Sequence, residues 1–379
     1  MRFNVTQNDF QQALRWATRP IPNRPSQPIL SGVKITAANG TVSLAACDYE
    51  QSSSAVIETA DEEVFEEGVA VVSGYLLRDI ARALPSGTVS VSLEGSAVIV
   101  KIGSVRFSLP TMPSTDYPDV LIQPPKFGSV NAANLADAVK AVTFAADKSG
   151  MFPVLGSVLI TTDPDKETLT MVCTNRFHLA AKTIGYAPEP GAAPVRACIP
   201  ASVVEKWMST FKFSDEETFS LTSGEEDGLF GINSPTLSAA TRVTAGEFPQ
   251  WQKLFPDSYA AESGVSTTDF VGSVKRVGMG SVTSRDRVVV FFNADEETIE
   301  LTIRDEDDAP VASETQTMTG WSGDESIEVV FNDKYFTEGL SRVAAANATV
   351  KMNGPTKPVV VESEEDTTYR YLIMPARRH

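Results

Sequence analysis

The chain has 379 residues, 42% of them hydrophobic, and a formal net charge of −17. That length suggests two or three domains, and that apolar fraction is ample for packed cores. The acidic total disfavours nonspecific adhesion to nucleic acid, so the placement of the 32 basic side chains matters more than the sum.

No run approaches the roughly 18 consecutive apolar residues of a membrane span. The start, MRFNVTQNDF, lacks the apolar core of a secretion signal, so a cytoplasmic protein is expected. Cys47, Cys173 and Cys198 are too few and too widely spaced for a disulfide framework or a zinc site. They read as small buried hydrophobes.

The first helix candidate is FQQALRWAT. Phe10 and Leu14 lie one turn apart, Arg15 falls off that stripe, and Asp9 reads as the helix start. PILSGVKI, at 28–35, then opens a strand that turns at Asn39-Gly40 and returns as a second strand. Asn-Gly between alternating apolar residues is a strong hairpin signal, because both residues tolerate positive φ. SGYLLRDIARAL after Ser73 reads as a second helix, followed by the alternating strands of TVSVSLEGSAVIVKIGSVRFSL.

The same grammar then repeats. LADAVKAVT has Leu135, Val139 and Lys140 in the corresponding places, after Asn134. PVLGSVLI begins 125 residues after PILSGVKI and leads into a hairpin that turns at Asp163-Pro164-Asp165. PASVVEKWMSTF is the matching second helix. A third copy has Phe270, Val274 and Lys275 after Asp269, a hairpin from Val288 to Asp305 turning at 293–297, and a helix after Asn332. A fixed period of this size marks a repeated structural unit. The fold class is therefore α+β: three similar domains at 1–125, 126–250 and 251–379, each with two helices and roughly eight antiparallel strands.

All six helix candidates carry basic residues: Arg15, Arg78 with Arg82, Lys140, Lys206, Lys275 with Arg276, and Arg342. Two readings stand, ordinary solvated helix charge or one shared surface. The last third is the most acidic. Its DEETIE and RDEDD runs are either solvated loops or partners for Lys101 and Arg106 across a subunit joint.

Little points to catalysis. Only His178 and His379 are present, and neither a dinucleotide nor a P-loop glycine motif occurs. A carboxylate-only hydrolase stays open, as paired acids need not be close in sequence. A secreted or surface β-rich carbohydrate-binding protein is the alternative from another class.

Arg24 within RPSQPILSGV, CDYE at 47–50, TNRFHLA at 174–180, GEFPQW at 246–251 and YLIMP at 371–375 occur in order along the whole chain. Together they resemble the bacterial sliding clamp, the beta subunit of DNA polymerase III. The resemblance implies the DNA clamp fold, three similar domains per subunit, and two subunits closed head to tail into a homodimeric ring. It implies a processivity factor, not an enzyme, that encircles duplex DNA without reading its sequence and needs no cofactor or metal. The implied partners are the replicative DNA polymerase, the clamp loader, repair polymerases and ligase-type proteins.

On that resemblance and the repeat of the basic helices, Arg24, Arg78, Arg82, Lys140, Lys148, Lys206 and Arg342 are expected to face DNA. The family's partner-peptide pocket maps onto Leu155, Thr174, Arg176, Phe177, His178, Leu179, Pro249, Lys253, Leu254, Pro358, Ile373, Met374 and Pro375. Leu155, Leu179, Leu254, Ile373, Met374 and Pro375 would form its apolar floor. Two departures alter the rim: Asn175-Arg176 follows Thr174 where the family commonly has Asp-Gly or Asp-Arg, and the tail ends Ala376-Arg377-Arg378-His379 in place of the common apolar-Arg-Leu type.

Overall fold

Six α-helices form among the described residues, where the apolar spacing puts them: α1 Gln7–Ala17, α2 Gly74–Ala83, α3 Ala132–Val142, α4 Ala201–Met208, α5 Thr267–Gly278 and α6 Asp333–Leu340. The computed structural model describes residues 1–59, 63–209, 211–224, 228–280, 287–304, 309–363 and 365–376. Most of the RDEDD run and the tail residues 377–379 lie outside them. Phe10 and Leu14, Leu135 and Val139, and Phe270 and Val274 are all buried, while Arg15, Lys140 and Lys275 are exposed.

The helix starts differ from expectation. Thr6 and Ser266 cap α1 and α5, their hydroxyls accepting the Asp9 and Asp269 backbone N–H at 3.2 and 3.5 Å. Asn131 Oδ1 does the same for Asn134 N–H at 2.9 Å. Asp9, Asn134 and Asp269 therefore occupy the third helical position. There an acidic side chain still favours the helix, because it faces the positive end of the dipole. Arg342 likewise lies beyond α6, in the turn that follows Leu340, and Arg24 and Lys148 sit in loops.

Three meanders recur. Gly32–Ala38 pairs with Thr41–Cys47 across Asn39 and Gly40, whose φ values are 50° and 70°, and Gln51–Glu58 adds a third strand. Ser157–Asp163, Thr168–Thr174 and His178–Gly185 form the second meander. Arg287–Asn293, Thr298–Arg304 and Pro310–Thr317 form the third.

The chain divides into two units, 1–136 with 186–199 and 203–243, and 137–185 with 200–202 and 244–379. The first holds a fourteen-stranded sheet among its described residues. Within it Gln51–Glu58 is antiparallel to Leu237–Arg242, with Ala55 opposite Leu237 and Gln51 opposite Thr241. Trp16 of α1 seals this junction. Its Nε1–H donates to the Ser238 carbonyl at 2.9 Å, and its ring stacks near Phe211 and Phe219.

The second unit repeats the device. His178–Gly185 is antiparallel to Tyr369–Ile373, with His178 opposite Ile373 and Leu179 opposite Leu372. Behind this sheet α6 docks closely. Tyr369 Oη donates to the Gly339 carbonyl at 3.1 Å, and a Cβ at Gly339 would lie 2.1 Å from the Tyr371 ring. Phe336 stacks on Phe331 at 4.3 Å and meets Phe270 of α5 edge-on. The meander 287–317 forms a separate four-stranded sheet with Ile327–Asn332. Cys47, Cys173 and Cys198 are free and buried, as expected.

Candidate functional site

Two arrangements concentrate chemistry. The first is a groove of about 760 Å³ in the first unit, whose lining includes Arg15, Arg19, Arg78, Arg82 and Lys206 and no carboxylate. Helical spacing sets part of it: Arg78 and Arg82 are one turn apart on α2, and Arg15 is in the last turn of α1, with Arg19 in the turn just beyond its end. Like charges at that spacing repel. Burial and the neighbouring Arg15 charge push the Arg19 pKa down to about 10, and Arg19 Nε is buried without a hydrogen-bond partner. The groove thus favours a polyanion.

Of the residues expected to face DNA, the groove gathers Arg78, Arg82 and Lys206; Arg24 is exposed next to its Asn23. Arg15 and Arg19 are additions. Arg15 was visible as a basic helix position, whereas Arg19, in the short TRPIP stretch, offered no periodic signal. In the second unit Lys140 and Lys148 are exposed, while Arg342 is half-buried with its guanidinium 5.7 Å from the Phe144 ring centre.

The second arrangement lies where the paired strands of the second unit end. After Thr168–Thr174 the chain makes a tight turn into His178. Thr174 Oγ1 donates to the His178 carbonyl at 2.7 Å and accepts from Arg176 N–H at 3.1 Å. Asn175 Oδ1 accepts the N–H groups of Phe177 and His178. These bonds hold Arg176 at φ +78°, a left-handed conformation that an L side chain adopts at a cost. The C-terminal strand ends beside it, with Met374 N–H donating to the Phe177 carbonyl at 2.8 Å.

His178 is buried and fully engaged. Tyr371 Oη donates to the Tyr335 carbonyl at 2.7 Å, so its oxygen accepts from His178 Nδ1–H at 3.0 Å. The imidazole stacks on Tyr335 at 4.1 Å, and the exposed Phe177 ring also stacks near Tyr335, at 6.4 Å. Burial, with a contribution from Lys148, pushes the His178 pKa down to about 4. No carboxylate takes part, and the group is held neutral.

The structure brings most of the expected pocket residues together. Alternation along the strands places Leu179 and Leu372 on one face and His178 and Ile373 on the other. Pro358 precedes Val359, which pairs with Ile373. The turn holding Leu155 approaches Arg176 through Phe152, whose ring centre lies 3.9 Å from the guanidinium carbon. Pro249, Lys253 and Leu254 belong to a segment anchored by Trp251 and Phe255, and Arg370 lies 4.0 Å over the Phe255 ring.

The expected apolar floor separates. Leu155, Leu179 and Ile373 are core residues, Pro375 is half-buried, and Leu254 and Met374 are 44% and 38% exposed; Phe177, expected in the pocket but not in its floor, is 61% exposed. Phe152, Met151 and Tyr335 were missed by sequence reasoning. Tyr335 lies within the α6 pattern, where an aromatic residue reads as ordinary core. Among the described residues no three His, Cys, Asp or Glu side chains converge as metal ligands, and no helix is long and apolar enough to cross a membrane.

Comparison with known proteins fits this arrangement. The family model for the DNA polymerase III beta subunit N-terminal domain matches residues 1–121, and that for the C-terminal domain matches 252–377. A beta sliding clamp of Streptomyces coelicolor is 32% identical over 384 residues, covering 100% of this chain and 99% of the relative. One from Micrococcus luteus is 37% identical over 280 residues, covering 74% of this chain and 88% of the relative. The crystal structure of the Bacillus subtilis DNA polymerase sliding clamp superposes with a TM-score of 0.91, at 21% identity and with both chains fully covered. The carbohydrate-binding alternative gains no support from these similarities. The chain belongs to the DNA polymerase III beta subunit family, the bacterial sliding clamps.

Proposed function

We propose that the chain works as a sliding clamp: a head-to-tail homodimeric ring that encircles duplex DNA and tethers the replicative polymerase, conferring processivity. One observation carries the ring. The third strand of the first meander pairs with Leu237–Arg242, and that of the second pairs with Tyr369–Ile373. The equivalent strand of the third meander, Pro310–Thr317, is an edge strand among the described residues. Val105–Met112 is open along most of its own outer side, pairing there only through Thr111 and Met112. A second copy completes the repeated joint by laying one edge against the other. Exposed Val105 and Val311 give the two edges apolar contact. Arg106 sits on the first edge and Lys101 opposite it on the neighbouring strand Ala97–Ile102, and both lie near Glu94, at 3.6 and 3.9 Å.

On this reading each subunit has three domains, 1–125, 126–250 and 251–379, which the two family matches support at both outer boundaries. The groove arginines, with Arg24, Lys140, Lys148, Lys206 and Arg342, face DNA phosphates. They neutralise charge without reading bases, so the ring can slide. The rim at 174–179, 249–254, 358 and 373–375 takes apolar peptides of the polymerase, the clamp loader, repair polymerases and ligase-type proteins. Burying one Leu-sized or Phe-sized anchor contributes roughly 1.5–3 kcal/mol, so such peptides bind with modest affinity. The protein acts by topology, without turnover, in the cytoplasm. Light scattering across protein concentration tests the ring: a dimer is expected, weakened by Val311→Glu or Val105→Glu. A monomer at micromolar concentration overturns the joint.

A further inference from the structure

Resting on the peptide-pocket reading, we infer that Arg176, whose guanidinium lies over the Phe152 ring, is a specificity-determining residue that takes a carboxylate of the incoming peptide. Four observations converge on it. The guanidinium carbon lies 3.9 Å from the Phe152 ring centre, a stacking distance. A guanidinium carries its N–H donors at its edge in a fixed fork, and one seated over a ring can grip a carboxylate with two parallel bonds. Arg176 is exposed, and among the described residues no carboxylate lies within ion-pair distance of it. The nearest acid that feels its charge, Asp147, is already engaged by Ser149 through its N–H and hydroxyl.

The backbone adds a second line. Arg176 is one of the few non-glycine residues at positive φ, and three side-chain hydrogen bonds around the turn keep it there. Glycine would fit this conformation at no cost. A large charged residue here carries strain that packing within the turn does not repay, since the side chain projects outward onto Phe152.

The surroundings say what the ligand is. Phe152 exposes apolar surface at the guanidinium, its chain neighbour Met151 and Arg176's neighbour Phe177 are exposed too, and Lys148 is an exposed cation whose charge reaches His178. An apolar peptide with a carboxylate next to its anchor satisfies both features, whereas a neutral one leaves Arg176 facing water. The carboxylate can be an Asp or Glu side chain or a free C-terminus, and both present the same planar group.

The test uses the full chain and four synthetic peptides of one apolar sequence with Leu and Phe anchors. They carry either Asp or Asn beside the anchor, and either a free or an amidated C-terminus. Titration calorimetry at low and high salt reads the affinities. Wild-type protein should prefer a carboxylate-bearing peptide by about fivefold at low salt, less at high salt. Whichever pair of peptides shows the preference identifies its source. Arg176→Gly suits the turn and should erase the preference, bringing the affinities of the four peptides together. Phe152→Leu keeps the charge but removes the stack, and should cut the preference without abolishing binding. Equal affinities of all four peptides for wild type, or a preference that survives Arg176→Gly, overturns the inference and leaves the pocket standing. Failure of every peptide to bind wild type overturns the pocket reading and the inference together.

Discussion

His178 Nδ1 lies 3.0 Å from Tyr371 Oη, and that hydroxyl spends its own proton on the Tyr335 carbonyl. The imidazole is therefore fixed as the Nδ1–H tautomer, and protonation would place a second N–H in a buried aromatic cage. The linkage has a definite sign. The folded pKa of about 4 is below the ordinary 6.5, so between these values the unfolded chain binds a proton that the folded chain does not. Stability falls as pH drops from about 6.5 towards 4, by up to ~3 kcal/mol from this group. His178→Gln, which does not titrate, should flatten the decline of Tm across that window. An unchanged slope would show that the histidine is charged or exposed in the folded state.

Gly339 gives a second test. Alanine normally stabilises a helix relative to glycine by roughly 0.5–1 kcal/mol. At this position the added methyl meets the Tyr371 ring at 2.1 Å. Gly339→Ala should therefore destabilise the chain, by about 1–3 kcal/mol as overpacking does, and weaken peptide binding by shifting Tyr335 and its neighbours. Urea unfolding decides, and a stabilised variant would mean that α6 stands further from the sheet.

Trp16 should be the costliest single side chain at the junction of Gln51–Glu58 with Leu237–Arg242. Trp16→Phe removes the donor to the Ser238 carbonyl and is expected to lose about 1–2 kcal/mol. Trp16→Ala should lose about 3–5 kcal/mol, because it also empties the space beside Phe211 and Phe219. Denaturant midpoints measure both.

For the basic groove, Arg78→Gln and Arg82→Gln should each weaken binding to a short duplex at low salt. Each should also reduce the slope of log affinity against log salt by about 0.9. Lys166→Gln is the control, because that lysine is paired with Asp163 at 2.7 Å in a hairpin turn. Equal losses from all three would remove the groove from the DNA path.

Much of this architecture was legible beforehand for a physical reason. Apolar pairs such as Phe10 and Leu14 recur one helical turn apart, and Asn39-Gly40 can adopt the φ values that its turn needs. What was not legible depends on contacts distant in the chain. Asp9 and Asp269 resemble caps because an acid at the third position and a hydroxyl at the cap leave similar polar traces. Arg342 carried the charge expected of a helix but lies past its end. Tyr335 reads as core until the stacking of Phe177 and His178 on it is seen. The buried state of Leu179 and Ile373 follows from the pairing of His178–Gly185 with Tyr369–Ile373, which brings together His178 and Tyr371, 193 residues apart.

Retention on DNA of different topology distinguishes a ring from a surface binder. The dimer is loaded on nicked circular duplex, isolated by gel filtration, and the DNA is then cut once with a restriction enzyme. A sliding clamp stays on the circle and runs off after the cut, because only topology retains it. Equal retention on circular and linear DNA would mean that the protein holds DNA by contact and does not encircle it.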